Sequence, residues 1–296
     1  FLSQHIGDLE TAEAFNAFER TLNSLKNLYE VDIKKVICDL HPDYLSSKYA
    51  QSTEMSILYI QHHFAHMASC IAENEIEGPV LGIIWDGTGY GVDGKIWGGE
   101  FIHFSKKRFK RVGSLKNFLL PGGNQAVKEP RRTAVGLLFE MYGKEFTDRQ
   151  DLKPVTAFQS NELKIILQML DKNLNAPQTS SMGRLFDGVA SILGLKQEIS
   201  FEGQAAIELE YLAWESKTEV SYQVIVVDNL VQWQDCIFEI IKELNQGQSI
   251  SLIAHKFHNY LVDIIIYFAK HFGEQKVVLS GGCFQNRLLT EKAIDA

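Results

Sequence analysis

Four cysteines in 296 residues, none of them in a Cys-x-x-Cys pair, leave this chain without a disulfide framework or a zinc finger. Cys38, Cys70, Cys236 and Cys283 are scattered, a usage that suits a reducing cytoplasm. Positive charge is also in short supply. The 29 Lys and Arg stand against 37 Asp and Glu, a net charge of -8. That balance argues against broad electrostatic binding to nucleic acid, whose affinity rests on neutralised phosphates. No basic-then-apolar signal segment opens the chain. The most apolar late stretch, Tyr260 to Ala269, contains Asp263 and falls short of the roughly 20 apolar residues a bilayer span needs. These absences predict a cytoplasmic protein with no nucleic-acid and no membrane partner. Internal repeats and low-complexity tracts are missing too.

What is present is an ordinary globular composition, 45% hydrophobic and 22% charged, at a length that favours two lobes or domains. The chain begins with Phe1 rather than Met and stops inside what reads as a helix at Ala296. Both features predict a piece of a longer protein. Apolar residues at helical spacing (Phe15, Phe18, Leu22, Leu25, Leu28) predict an amphipathic helix over 9–29. Short buried strands are expected over 36–39, 56–60 and 80–85, the last paired with 96–104 through the Asp93-Gly94 turn signal. From Glu129 onward the pattern turns to helices, over 131–142, 162–174, 185–193, 204–216, 231–244 and 253–272, with further strands over 222–227 and 276–279. A strand-rich first part and a helix-rich second part, with two strand–glycine-loop junctions, predict a two-lobed α/β nucleotide-binding fold. The expected subdomains are 1–108 and 109–296, with the cleft between them.

The chemistry concentrates in Gln61-His62-His63-Phe64-Ala65-His66 and in the strand that follows it, which ends in Asp86-Gly87-Thr88-Gly89-Tyr90-Gly91. His62 and His66 lie four residues apart on one helix face, so both imidazoles can reach one metal ion. His63 points elsewhere, as a supporting or substrate-contacting group. Histidines satisfied as caps or in a core are the ordinary alternative for such a pair. Asp86 at the end of a central strand can bind a metal or orient a nucleotide oxygen, and Gly87, Gly89 and Gly91 allow backbone to approach a phosphate. A ligand-free glycine-rich hairpin is the competing assignment. A second junction, Ser280-Gly281-Gly282-Cys283-Phe284-Gln285-Asn286, runs from a buried strand into a helix and offers an anion site, with Asn286 as nucleotide contact or N-cap. The stretches Pro121–Arg132, Ser180–Gly188 and Phe201–Ala206 each open a helix, for which loop and cap chemistry is a sufficient account.

Taken together these stretches resemble the carbamoyltransferase region of the hydrogenase maturation family HypF, which in turn looks like the tRNA threonylcarbamoyladenosine transferases. The matching residues are Phe1–Leu9, Cys38–Tyr44, His62–His66, Asp86–Gly91, Trp97–Glu100, Lys128-Glu129-Pro130, Gly183–Asp187, Glu202–Ala206, Phe257-His258 and Ser280–Asn286, in the family's order across nearly the whole chain. The resemblance implies the two-lobed actin-like ATPase fold (ASKHA, ribonuclease H-like) with an interlobe nucleotide cleft. It implies transfer of a carbamoyl group from a carbamoyl-adenylate, made from carbamoyl phosphate and ATP, to the C-terminal cysteine of the partner HypE. By motif, His62, His66 and Asp86 would be catalytic metal ligands for a divalent ion, magnesium, zinc or iron. Asp86, Gly87, Thr88, Gly89, Tyr90, Gly183, Asp187, Ser280, Gly281, Gly282 and Asn286 would hold the nucleotide. The family's final strand–loop, whose Asp-Gly motif supplies another metal ligand, has no counterpart in this sequence, so the expected metal site is an incomplete one. Gly122-Gly123-Asn124 stands where the family has Gly-Gly-Asp, and Asn124 is assigned no role. The tRNA-modifying relative, a small-molecule kinase of the same fold and a catalytically incomplete fragment are the alternatives. The kinase reading leaves His62 and His66 without a purpose.

Overall fold

The computed structural model describes residues 3–296, so Phe1 and Leu2 of the first matching stretch lie outside the described residues. Contacts divide the chain into two compact units, one running to Ala65 and one from His66 to Ala296. The division falls inside a single helix. Residues 108 and 109 stand at the start of a strand paired with the one before it.

The first unit holds α1 (Ala12–Leu28), β1 (Lys35–Asp39), α2 (Leu45–Ser52), β2 (Ser56–Ile60) and the opening turn of α3 (His62–Glu73). The predicted first helix starts three residues late because Thr11 is extended and its side chain accepts from Ala14 N, which caps α1. Phe15 and Phe18 of that helix pack edge-on against Tyr49 of α2. β1 and β2 are parallel, in register from Lys35 opposite Ser56 to Asp39 opposite Ile60. Parallel neighbours need a crossover, and α2, a helix that short polar stretch did not announce, provides it. Both strands therefore end on the same side, where Asp39 meets the chain entering α3.

The second unit continues with β3 (Val80–Trp85), β4 (Gly99–Ser105), β5 (Arg108–Leu115) and β6 (Phe118–Leu119), then α4 (Asn124–Lys128) and α5 (Pro130–Tyr142). There follow α6 (Lys153–Thr156), α7 (Ser160–Asp171), β7 (Gln178–Thr179), α8 (Met182–Ile192) and α9 (Gln204–Trp214). The unit closes with β8 (Val226–Val227), β9 (Leu230–Val231), α10 (Gln234–Asn245), α11 (Ile250–Phe272), β10 (Val277–Ser280) and α12 (Arg287–Asp295). A mixed sheet in the order β10-β3-β4-β5-β9-β8 forms its spine. β3 sits between parallel β10 and antiparallel β4 and is buried at all six positions, which is why its sequence is apolar without alternation.

In the core Phe101 of β4 stacks on Phe268 of α11 and meets Trp85 of β3 edge-on, and Phe118 meets Trp233 edge-on. Side chains of this size, fully buried, stabilise by about 1.5–3 kcal/mol each relative to exposure. The strand expected over 222–227 shrinks to two residues. Asn259 Nδ2 of α11 donates to the carbonyls of Thr218 and Val220, and Tyr222 is tied to Glu243 and Lys256, so side chains satisfy this backbone in place of a strand partner. The helix expected from Val231 begins at Gln234, because Val231 pairs with Leu115 in the sheet. No helix among the described residues is long and apolar enough to cross a membrane.

Candidate active site

The end of β2 delivers Gln61, whose Oε1 accepts from Phe64 N and starts α3 directly at His62. His62 and His66 are thus one turn apart on one helix. His66 Nε2 lies 3.0 Å from Asp86 Oδ2 at the end of β3. That pair puts an imidazole and a carboxylate of one unit within reach of a single ion. His62 Nδ1 is 2.8 Å from Asp39 Oδ2, and Asp39 Oδ1 accepts from His41 N at 2.8 Å. Burial raises the Asp39 carboxyl, but the hydrogen bonds from His62 and the His41 amide outweigh it and hold it below the ordinary carboxylate range. An ionised carboxylate on Nδ1 fixes the His62 ring and aims Nε2 outward, the arrangement usual for metal-binding imidazoles.

Beside Asp86 opens a cavity of about 460 Å³ whose walls include Gly87, Gly183, Arg184, Asp187, Glu202 and Asn286. Two junctions meet there because β3 and β10 are parallel neighbours, with Ser280 opposite Ile84, so both loops leave the same edge of the sheet. Gly281 makes this possible: its φ is +102°, and a Cβ there would stand 2.2 Å from Trp85 O. The third wall is the start of α8. Ser181 caps that helix by accepting from Arg184 N, and its hydroxyl also reaches the carbonyls of Asp86 (3.0 Å) and Gly87 (2.8 Å).

Three backbone amides that the glycine motifs aimed at a phosphate turn instead to Asp86. Gly87 N and Gly282 N donate to its Oδ1, at 2.7 and 3.3 Å, and Gly183 N donates to its carbonyl at 3.1 Å. The glycines here serve close packing of three loops around one aspartate. Asn286 is also engaged: Oδ1 accepts from Leu289 N, and Nδ2 donates to His258 Nε2. Thr88, Gly89, Tyr90, Ser280 and Gly281 do not line the cavity. Gly89 O accepts from Trp97 N, and Tyr90 bridges to Ile96, so those residues close a hairpin.

Arg184 carries the charge that sequence reasoning did not single out. It is 4% exposed and sits 3.0 Å from Asp187, itself 1% exposed, in a pairing too poorly aligned to count as a hydrogen bond. Among the described residues, Arg184 Nε and NH1 and Asp187 Oδ2 have no hydrogen-bond partner. Burial pushes the Asp187 carboxyl up to about 6; Arg184 opposes that shift and Glu202 adds to it. A buried guanidinium with unspent donors at a cavity wall is a group prepared for an anion.

Residues 82–296 match the family model described as carbamoyltransferase, Kae1-like domain, second subdomain, and residues 1–73 match the HypF Kae1-like domain. The chain belongs to the HypF family. It is 41% identical to the carbamoyltransferase HypF of Synechocystis sp. (strain ATCC 27184 / PCC 6803 / Kazusa), over 100% of this chain and 40% of that protein. The carbamoyltransferase HypF of Rhizobium leguminosarum bv. viciae is 35% identical over 98% of this chain and 37% of its own length. A crystal structure of full-length HypF in the phosphate- and nucleotide-bound form superposes with a TM-score of 0.90 at 40% identity, covering 98% of this chain and 38% of that one. The chain therefore spans about two fifths of these HypF proteins.

Within this HypF-family chain, Asp39 had a readable signal. It closes a short strand before a His-Pro break, much as Asp86 directly follows β3. Arg184 and Ser181 had none, since an arginine and a serine opening a helix are unremarkable until the cavity is seen. Three of the four cysteines offer no ready nucleophile. Burial pushes the thiols of Cys70, Cys236 and Cys283 up, which keeps them protonated at neutral pH.

Proposed function

We propose that this chain is the carbamoyl-transfer part of a HypF protein, acting on a carbamoyl-adenylate made from carbamoyl phosphate and ATP and giving its carbamoyl group to the C-terminal cysteine of HypE. One observation carries the reading: a single carboxylate, Asp86, both pairs with the His66 imidazole and forms part of the wall of a ligand-sized cavity. The phosphate- and nucleotide-bound HypF with the same fold supports placing a nucleotide in that cavity.

The donor set suits a divalent cation, and two imidazoles favour zinc or iron over magnesium. Held by His62, His66 and Asp86, such an ion would supply positive charge to a carbonyl or phosphate oxygen. The chain's own residues account for the rest. Arg184 offers Nε and NH1 to the phosphate of the adenylate. Asp187 and Glu202 present carboxylates to the sugar hydroxyls. A sulfur–carbon bond forms between the incoming thiolate and the carbamoyl carbon, the mixed-anhydride carbon–oxygen bond breaks, and AMP leaves with the electron pair. The protonated Cys283 thiol in the cavity wall does not compete for the acyl group.

The test supplies carbamoyl-adenylate and a peptide of the HypE tail, and follows AMP release and the mass of the peptide. Transfer to the thiol is expected, and His62→Ala should abolish it while adenylate binding persists. Unchanged transfer in that variant refutes the assigned cluster. Transfer to a tRNA adenosine derivative in place of the thiol would move the chain to the tRNA-modifying relatives.

A further inference from the structure

Glu100 of β4 is a carboxylate with 0% exposure that no step above uses. Among the described residues, four donors hydrogen-bond to it. Its Oε1 accepts from Gly98 N (3.0 Å), Gly99 N (3.2 Å) and Ser180 Oγ (2.5 Å), and its Oε2 accepts from Arg111 Nε (2.5 Å). Arg111 NH2 donates to the same Ser180 hydroxyl at 3.3 Å, and its guanidinium lies 4.1 Å over the Trp97 ring, 3.7 Å from Asp93.

The peptides gripped by Glu100 are those on which the site hangs. Gly98 O accepts from Asp86 N at 2.7 Å and from Met182 N at 3.2 Å. Ser180 precedes Ser181, whose hydroxyl holds the Asp86 and Gly87 carbonyls. We propose that Glu100 is a positioning residue, a buried carboxylate that locks the Asp86 loop to the start of α8 and so holds Asp86 in place at the cavity wall. The proposal rests on the reading of Asp86 as the shared residue of that site.

The donor inventory explains why a carboxylate is needed. A glutamine must aim its NH2 either at Arg111 or at the two glycine amides and Ser180, leaving donor against donor in a dry environment. Arg111→Gln in the same chain would give that NH2 an acceptor. Amide hydrogen exchange reads the effect directly. Glu100→Gln should speed exchange about tenfold or more across 85–91, 97–99 and 180–187, with α10 and α11 unchanged, and the double variant Glu100→Gln/Arg111→Gln should restore protection.

A general loss of protection, or none in the three segments, overturns the proposal, since a merely structural ion pair would loosen the whole unit. Should Glu100→Gln fail to fold, Ser180→Ala removes one donor and should loosen the same segments by a few-fold; unaltered exchange there overturns it equally. AMP titrated into the unaltered chain keeps the two readings apart. Absence of AMP binding refutes the nucleotide site, while the exchange pattern still decides the role of Glu100.

Discussion

Gly183 is the second residue of α8, and substituting alanine there sets two effects against each other. A Cβ at this position would stand 2.8 Å from Gly87 Cα, 3.2 Å from Gly87 N and 3.3 Å from Asp86 O. All three are backbone atoms, so no rotamer change relieves the contact. Helix propensity favours alanine over glycine by up to about 1 kcal/mol, less at a helix end. Overpacking of this kind costs about 1–3 kcal/mol. The loop cannot simply retreat either. Gly183 N to Asp86 O and the Ser181 hydroxyl tie it down, and each such bond is worth about 0.5–1.5 kcal/mol net.

The steric term wins, so Gly183→Ala should lower the unfolding free energy by about 1–2 kcal/mol. The larger consequence is local. Asp86 Oδ2 is 3.0 Å from His66 Nε2, and a shift of the loop by a few tenths of an ångström carries the carboxylate out of the cluster. Zinc affinity, read by titration calorimetry beside a urea unfolding curve, should fall about tenfold, the scale of a misplaced metal ligand or its support. A variant more stable by about 1 kcal/mol with unchanged zinc affinity would mean that propensity prevailed and that the reasoning is wrong.

Three further outcomes are expected. Asp39→Ala removes the carboxylate that orients His62 and should weaken zinc binding by about 10–100-fold with little change in fold, as measured by the same titration. His258 is fully buried with Nδ1 on Ala254 O and Nε2 accepting from Asn286, and burial lowers it to about 4. As pH falls from about 6.5 to 4 the unfolded chain takes up a proton that the folded chain refuses, so stability drops by up to about 3 kcal/mol. Urea curves across that range should flatten in His258→Gln, and an unchanged slope contradicts the assignment. Asp187 has the opposite sign: its raised carboxyl binds a proton more tightly when folded, so the ligand-free fold loses stability as pH rises from about 4 through 6. Asp187→Asn mimics the protonated form and should gain on the unaltered chain by up to about 3 kcal/mol between pH 4 and 7. A difference independent of pH would count against it.

Much of this architecture is written in short-range pattern. The six-residue apolar run of β3, the Thr11 cap, and the one-turn spacing of His62 and His66 are each decided within a few residues, because helix and strand periods and cap geometry are local properties. The order of motifs was enough to suggest the family, which the comparisons then established. Weak elements were harder. β8 and β9 have two residues each, and their pairing depends on neighbours far along the chain.

The sequence by itself determined that a strand would deliver Asp86 into a glycine loop and that two histidines would share a helix face. It did not determine what those groups would meet. Asp39 reaches His62 across 23 residues, Ser181 reaches Asp86 across 95, and Gly282 reaches it across 196. Those encounters are settled by which strands lie parallel and end at the same edge of a sheet, a choice made by burial of whole elements rather than by any local signal. For that reason the glycine amides turned out to serve Asp86, and the buried donors of Arg184 and the carboxylate of Glu100 came to light only in the folded chain.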